Sequence, residues 1–362
     1  MNQIPKKSLR ILIKAALLFV IFNYLFCFVP DSALWRVSLY NTILPGEPRF
    51  PRENNIDFIF NVHEIASSPR RADEYKVVVL GDSSVWGYTL DPNETFSGII
   101  NASGMSTCKG QPIHAYNLGY PGTSIFRDAL ILHQALTYKP DLVIWNVTLL
   151  SMLDSKLDIE FGALPSSNPE ITQKLVGQYK LSIKITPTIV PALQNKSFLN
   201  RREEIARFIK YQLDGIRRQA TGREPVDKAI PPLAMDVAGN GSFNRDELHV
   251  KPATISNLLE FDVLNAGIRM AGSAPVIIIN EPIHIVSGKN SDIRYDTLYP
   301  RWAYDQYRTL MAMKAKQYHW DYVDLWNIIP PSEFTSIFHR TVKGEIAFTQ
   351  IIKDIIKKNT CP

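Results

Sequence analysis

The run Lys76-Val77-Val78-Val79-Leu80 is apolar and β-branched without alternation, and comparable runs recur at Ile113–Leu118, Asp141–Val147, Pro275–Asn280 and Tyr322–Leu325. A strand with one wet face alternates apolar and polar residues. A strand without alternation is buried on both faces, the condition of a strand inside a parallel sheet covered by helices. Segments of helical character lie between the runs, at Phe96–Ser103, Ser124–Tyr138, Trp302–Gln317 and Lys343–Lys358. This alternation of strand and helix predicts a doubly wound α/β domain. A chain of 362 residues with 45% hydrophobic content has material for one large core and an insertion, and is not a disordered chain. The interval from about 152 to 272 is too long for a single crossover. It holds a strongly charged helical segment at Asn200–Ile216 and a Pro, Gly and Asn-rich run at Thr221–Ser242, and reads as an inserted helical cap.

Ile11–Val29 is the most apolar stretch, 19 residues interrupted by Lys14 and Asn23. That length is near the minimum for crossing a bilayer. Lys6, Lys7 and Arg10 precede it with no acidic residue, which by the positive-inside bias leaves the N-terminus in the cytoplasm and all that follows Pro30 across the membrane. The expected organisation is a cytoplasmic tip and transmembrane anchor over 1–30, and a stalk over 31–75 with one short strand at Asp57–Val62. An extracytoplasmic domain over 76–362 follows. A cleaved signal peptide is the alternative, although no small-x-small cleavage pattern follows the apolar run. The excess of 40 Lys+Arg over 35 Asp+Glu gathers at the chain ends, which does not support a nucleic-acid partner. The bulky Tyr24, Leu25 and Phe26 before Cys27 exclude a lipobox, so Cys27 is expected as a buried thiol. Cys108 and Cys361 read as unpaired thiols, with a disulfide tying the last helix to the domain as the alternative in an oxidising compartment.

The first strand runs directly into Gly81-Asp82-Ser83-Ser84-Val85-Trp86-Gly87. In an open α/β sheet, ligands bind beyond the carboxyl ends of the strands, so Ser83 stands where a nucleophile is useful. Its backbone N–H is placed to help hold an oxyanion. A plain turn with a helix N-cap is the bland alternative. Gly119, in Asn117-Leu118-Gly119-Tyr120-Pro121-Gly122 after the second strand, can offer an N–H to the same oxyanion. His339 stands just ahead of the last helix and is the candidate base. His63, His114, His133, His284 and His319 read as structural.

In these blocks the chain resembles the SGNH/GDSL hydrolase superfamily. That family carries Gly-Asp-Ser after the first strand, a glycine after the second, Gly-x-Asn-Asp after the third and Asp-x-x-His near the C-terminus. The resemblance covers about Lys76 to Ile356. It implies a three-layer α/β/α, flavodoxin-like fold with Ser83 as nucleophile, His339 as base, and Ser83 and Gly119 as oxyanion donors. Two positions depart from the pattern: Leu150 falls where the oxyanion asparagine belongs, and Ser336 where the aspartate belongs, three before His339. Asn146 reads as a structural residue inside its strand. Ser336, Glu333 and Asp324 are the candidates for orienting the imidazole. Asp246-Glu247-Leu248-His249 satisfies Asp-x-x-His literally but lies in the cap.

Asn280-Glu281-Pro282 and the loop Gly288–Tyr295 follow the fourth strand and should face the same crevice. Asp82, Glu281, Arg294 and Tyr295 are candidate substrate contacts, with Tyr299 and Trp302 as stacking surfaces; an ordinary ordered loop is the alternative. No His, Cys and carboxylate cluster stands at metal-ligand spacing, and no Walker-type glycine run is present, so neither a metal nor another cofactor is expected. The expected activity is ester hydrolysis or O-acyl transfer on an extracytoplasmic acylated substrate, such as an acetylated glycan. The alternative is a catalytically impaired module that binds an envelope glycan or a partner protein. The oligomeric state is not legible.

Overall fold

The computed structural model describes residues 6–29, 46–67, 73–153, 164–181, 197–221 and 255–361. Five parallel strands, β1 (Tyr75–Leu80), β2 (Ile113–Asn117), β3 (Leu142–Val147), β4 (Val276–Asn280) and β5 (Asp321–Asp324), form one sheet in the order β2-β1-β3-β4-β5. This is the flavodoxin-like order, and its direction reverses between β1 and β3, the switch point beyond which such sheets bind ligands.

Successive side chains of a strand point to opposite faces, so each unalternating run supplies two cores. Val77, Val79, Leu142, Ile144, Ile277 and Ile279 face a layer formed by the helices Phe96–Ala102 and Val342–Thr360, through Phe96, Ile100, Phe348, Ile352 and Ile356. Trp145 points the other way, and its Nε1 donates to Asp128 Oδ2 at 3.2 Å on the helix Ile125–Ala135. The helix Phe261–Ala271 packs on that second layer, and a Cβ at Gly267 would come within 2.2 Å of the Trp145 ring. Phe261–Ala271, expected inside the insertion, is therefore the helix of the β3-to-β4 crossover.

Residues 46–67, expected as stalk, are folded onto the α/β body: Phe50, Ile59 and Val62 are buried, and Trp86 Nε1 donates to Phe50 O at 2.8 Å. The strand expected at Asp57–Val62 is the helix Ile56–Val62, whose Asn55 cap accepts from Phe58 N at 2.9 Å. Its residues are apolar almost all round, so periodicity could not separate a buried helix from a strand. Residues 31–45, nearly all of Thr221–Ser242 and the tetrapeptide Asp246–His249 lie outside the described residues.

Cys108 and Cys361, read as unpaired, are joined in a disulfide across 253 positions. The last helix packs beside Phe96–Ala102, which carries its end to the turn holding Cys108. Cys27, expected as a buried thiol, is only half-buried, and its Sγ donates to Asn23 O at 3.5 Å.

Residues 1–45 and 185–224 form a unit of their own, separate from 46–184 with 225–362. In it the helix Lys6–Phe26 contains a 20-residue stretch, Lys7–Phe26, long and apolar enough to cross a membrane and not buried in the protein. The charged helix expected at Asn200–Ile216 extends over Phe198–Thr221.

Candidate active site

The site grows from the turn after β1. Gly81 has φ +151°, and a Cβ there would meet Val85 Cγ2 at 2.6 Å, so only glycine lets the chain turn so close to the helix that follows. Asp82 caps that four-residue helix, Ser83–Trp86, by accepting from Ser84 N at 2.8 Å. Gly87, in the left-handed region at φ +82°, ends it, and both Gly87 N and Tyr88 N donate to Ser83 O at 3.1 Å. Ser83 thus leads a short helix, a position whose N–H has no intrahelical acceptor.

His339 arrives from the other end of the chain on the loop closed by the Phe334–Arg340 bridge and by Thr335 N donating to His339 O at 2.8 Å. Its Nε2 lies 2.9 Å from Ser83 Oγ, and its Nδ1 lies 2.6 Å from Ser336 Oγ. With the imidazole proton on Nδ1 and donated to Ser336, Nε2 is left to accept from the Ser83 hydroxyl.

No family model matches the sequence, and no curated protein does. Among solved structures, the chain is similar to a carbohydrate acetylesterase family member from Sinorhizobium meliloti, with 12% identity, 78% of this chain and 98% of that chain covered, and a TM-score of 0.35. An aryl esterase from M. smegmatis gives 10%, 78%, 99% and 0.37 in the same terms. A lipolytic protein of the G-D-S-L family from Veillonella parvula gives 11%, 77%, 96% and 0.36.

Measured against the SGNH/GDSL pattern, the backing of the imidazole differs. Ser336 stands at the aspartate position and does touch Nδ1, but as a neutral hydroxyl. Burial lowers the His339 pKa to about 3, and the neighbouring Arg340 charge adds to the effect. Glu333 and Asp324, the other candidates, do not serve the imidazole. Glu333 accepts from Thr341 Oγ1 at 2.6 Å and pairs with Lys343 at 2.9 Å at the start of the last helix. Asp324 pairs with Arg308 at 2.9 Å and accepts from Asn280 Nδ2 at 2.8 Å.

Gly119 also departs from expectation. Its N–H donates to Asn117 Oδ1 at 3.0 Å, and a Cβ there would lie 2.5 Å from Trp86 N. The glycine lets the β2 turn press against the Ser83 helix, and its N–H is already engaged. Leu150, at the asparagine position, is a buried apolar residue. Asn146 Nδ2 donates to Leu80 O at 3.4 Å, and its buried Oδ1 has no hydrogen-bond partner among the described residues.

The four expected substrate contacts are buried and do not line an open crevice: Asp82 is 4% exposed, Glu281 and Arg294 1%, and Tyr295 6%. Asp82 is committed to its cap. Tyr295 donates to Asp305 Oδ1 at 2.8 Å and carries Arg301 over its ring at 4.3 Å. The loop after β4 folds back on itself, with Val286 N donating to Tyr295 O at 2.7 Å, and this turns those residues inward. Glu281 instead accepts from Ser84 Oγ beneath the turn that carries Ser83 and lies 3.8 Å from Arg340 Nη1. Arg340 Nε donates to Glu345 Oε2 at 2.5 Å, and Glu345 Oε1 accepts from Phe96 N at 2.9 Å. Burial raises the pKa of both Glu281 and Asp82, and the Asp82 charge pushes Glu281 further up, so the pair resists double ionisation.

Ser84, Arg340 and Glu345 were not singled out from the sequence, since their partners come from segments far apart in the chain. Tyr88 is another such residue, stacked on the His339 ring at 5.1 Å with an interplanar angle of 26°. The Arg52 guanidinium lies 5.4 Å from the Tyr88 ring in turn. His63 is structural: its Nε2 meets Asn117 O at 3.1 Å, and burial lowers its pKa to about 4. No group of three or more His, Cys, Asp or Glu side chains is placed to hold a metal among the described residues.

Proposed function

We propose that this chain is a serine-dependent ester hydrolase or O-acyltransferase of the SGNH/GDSL type. Its substrate would be an extracytoplasmic acylated molecule, an acetylated glycan being the class in view. The observation that carries the reading is the 2.9 Å approach of His339 Nε2 to Ser83 Oγ. Ser83 Oγ attacks the ester carbonyl while its proton passes to Nε2, and the Ser83 N–H donates to the tetrahedral oxyanion. His339 then returns the proton to the departing alkoxide, leaving an acyl-Ser83 ester. Water completes a hydrolysis, or a sugar hydroxyl completes a transfer, with His339 again taking the proton. Ser336 holds the imidazole in the tautomer that leaves Nε2 free, but brings no negative charge to stabilise the imidazolium. The apolar helix Lys6–Phe26, whose first turns carry Lys6, Lys7 and Arg10, supports a cytoplasmic N-terminus and an extracytoplasmic domain.

The test is turnover of p-nitrophenyl acetate by the full-length chain in detergent. Ser83→Ala should abolish it, and turnover equal to that of the unsubstituted chain would remove the assignment.

A second reading is favoured by three specific observations: the engaged Gly119 N–H, Leu150 in place of the asparagine, and a hydroxyl in place of the carboxylate. Each lost oxyanion donor costs about two to three orders of magnitude in rate. On this reading the fold serves to bind an envelope glycan or a partner. A fluorophosphonate probe separates the two: labelling at Ser83 supports the enzyme, whereas an unlabelled Ser83 in a folded chain supports the binding module.

A further inference from the structure

The helix Phe198–Thr221 has no part in the chemistry above. Its N-terminus is fixed to the last turns of the apolar helix Lys6–Phe26. The Phe198 ring stands edge-on to both Phe22 and Phe26 with centroids 5.4 Å away, and Leu199 N donates to Asn23 Oδ1 at 2.9 Å. A helix so fixed begins at the level where the apolar helix ends.

Ile209, Leu213 and Ile216 follow the i, i+4, i+7 spacing that puts side chains on one helical face. They are 54%, 61% and 39% exposed, and Leu199 is 42% exposed. On another flank Arg201, Phe208 and Gln212 are buried. Burial is therefore confined to one side of the helix, and the apolar stripe is exposed. The same helix carries six basic residues against three acidic ones. Its 24 residues reach about 36 Å at 1.5 Å per residue. Apolar stripe, basic excess and attachment at the end of a membrane-spanning length are together the properties of a helix lying in a bilayer interface.

We propose that Phe198–Thr221 is a membrane-surface helix. Ile209, Leu213 and Ile216 enter the acyl boundary on the side where the apolar helix ends, and the exposed Arg202, Arg207, Lys210 and Arg217 side chains reach anionic headgroups. The occupant of the stripe is lipid, because the stripe belongs to a helix stapled to the one segment among the described residues that is long and apolar enough to cross a bilayer. The inference rests on that segment spanning the bilayer and is independent of the esterase reading.

The experiment uses the full chain with Cys27→Ser, its disulfide left oxidised, in vesicles of phosphatidylethanolamine and phosphatidylglycerol. A bimane probe is placed at Leu213→Cys, Lys210→Cys or Leu17→Cys. Brominated phospholipid should quench the Leu213 probe at least two-fold while aqueous iodide does not; the Lys210 probe should show the reverse. A Leu213 probe open to iodide, or shielded from both quenchers as a second copy of the chain would shield it, overturns the proposal. The Leu17 probe reports the span itself: if brominated lipid leaves it unquenched, the span is lost and the surface helix with it.

Discussion

At the scale of single residues, the unusual element is the Ser336 hydroxyl on His339 Nδ1 at 2.6 Å. An imidazole acts as a base only when unprotonated. Because burial depresses its pKa from 6.5 to about 3, His339 stays unprotonated as pH falls through the range where an ordinary histidine gains its charge. The kcat/KM for a neutral ester should therefore be flat from pH 7 to about pH 5 and fall only as pH approaches about 3. A loss of activity centred near 6.5 would contradict it. The same depression makes His339 a weak base, which lowers the rate at every pH. Ser336→Asp places a carboxylate behind the ring and should raise kcat/KM about ten-fold or more, with the acid limb moving upward; both are read from one pH series. Ser83, Gly81 and His339 were legible because each is tied to a place in the chain order. The hydrogen-bonding state of Gly119 was not, because Asn117 Oδ1 competes for its N–H through a side-chain rotamer that sequence does not encode.

At the scale of elements, the buried strands declared themselves, since burial on both faces leaves Val, Ile and Leu no polar alternates. β5 is the least buried, and its bounds, Asp321–Asp324, are displaced by one residue from the expected run. Ile56–Val62 was misread because an apolar run of seven residues fits either element. The close packing of the β2 turn on the Ser83 helix makes a clear prediction. Gly119→Ala forces a methyl against the Trp86 backbone, where no flexible side chain can yield. Overpacking of this kind costs about 1–3 kcal/mol, and it should appear as a lower Tm together with a fall in ester turnover. The buried link from Ser84 to Glu281 is a second element-level brace. Glu281→Ala leaves the Ser84 hydroxyl without its acceptor and Arg340 without one of its neighbouring carboxylates, and the destabilisation expected is about 3 kcal/mol. Glu281→Gln keeps an acceptor for Ser84, so urea midpoints should rank it between Glu281→Ala and the unsubstituted chain.

At the scale of the whole molecule, the order of the five strands was readable, whereas the crossover helix Phe261–Ala271 and long-range closure were not. Two cysteines 253 positions apart carry no local signal of their pairing; it depends on the last helix returning to the neighbourhood of Phe96–Ala102. Cys361→Ser should lower stability by about 2–4 kcal/mol, the usual worth of a disulfide, and dithiothreitol should lower the Tm of the unsubstituted chain but not of the variant. The bridge also partitions the polypeptide in a way that bears on its handling. Ser83 precedes Cys108, and His339 falls inside the ring that Cys108 and Cys361 close. A protease that cuts once between 109 and 338 puts Ser83 and His339 on separate fragments, yet these remain one covalent molecule until a reductant is added. Nicked protein should therefore run as an intact chain on a non-reducing gel and as two pieces on a reducing one, with the Ser83 and His339 fragments still tethered to each other in the interval.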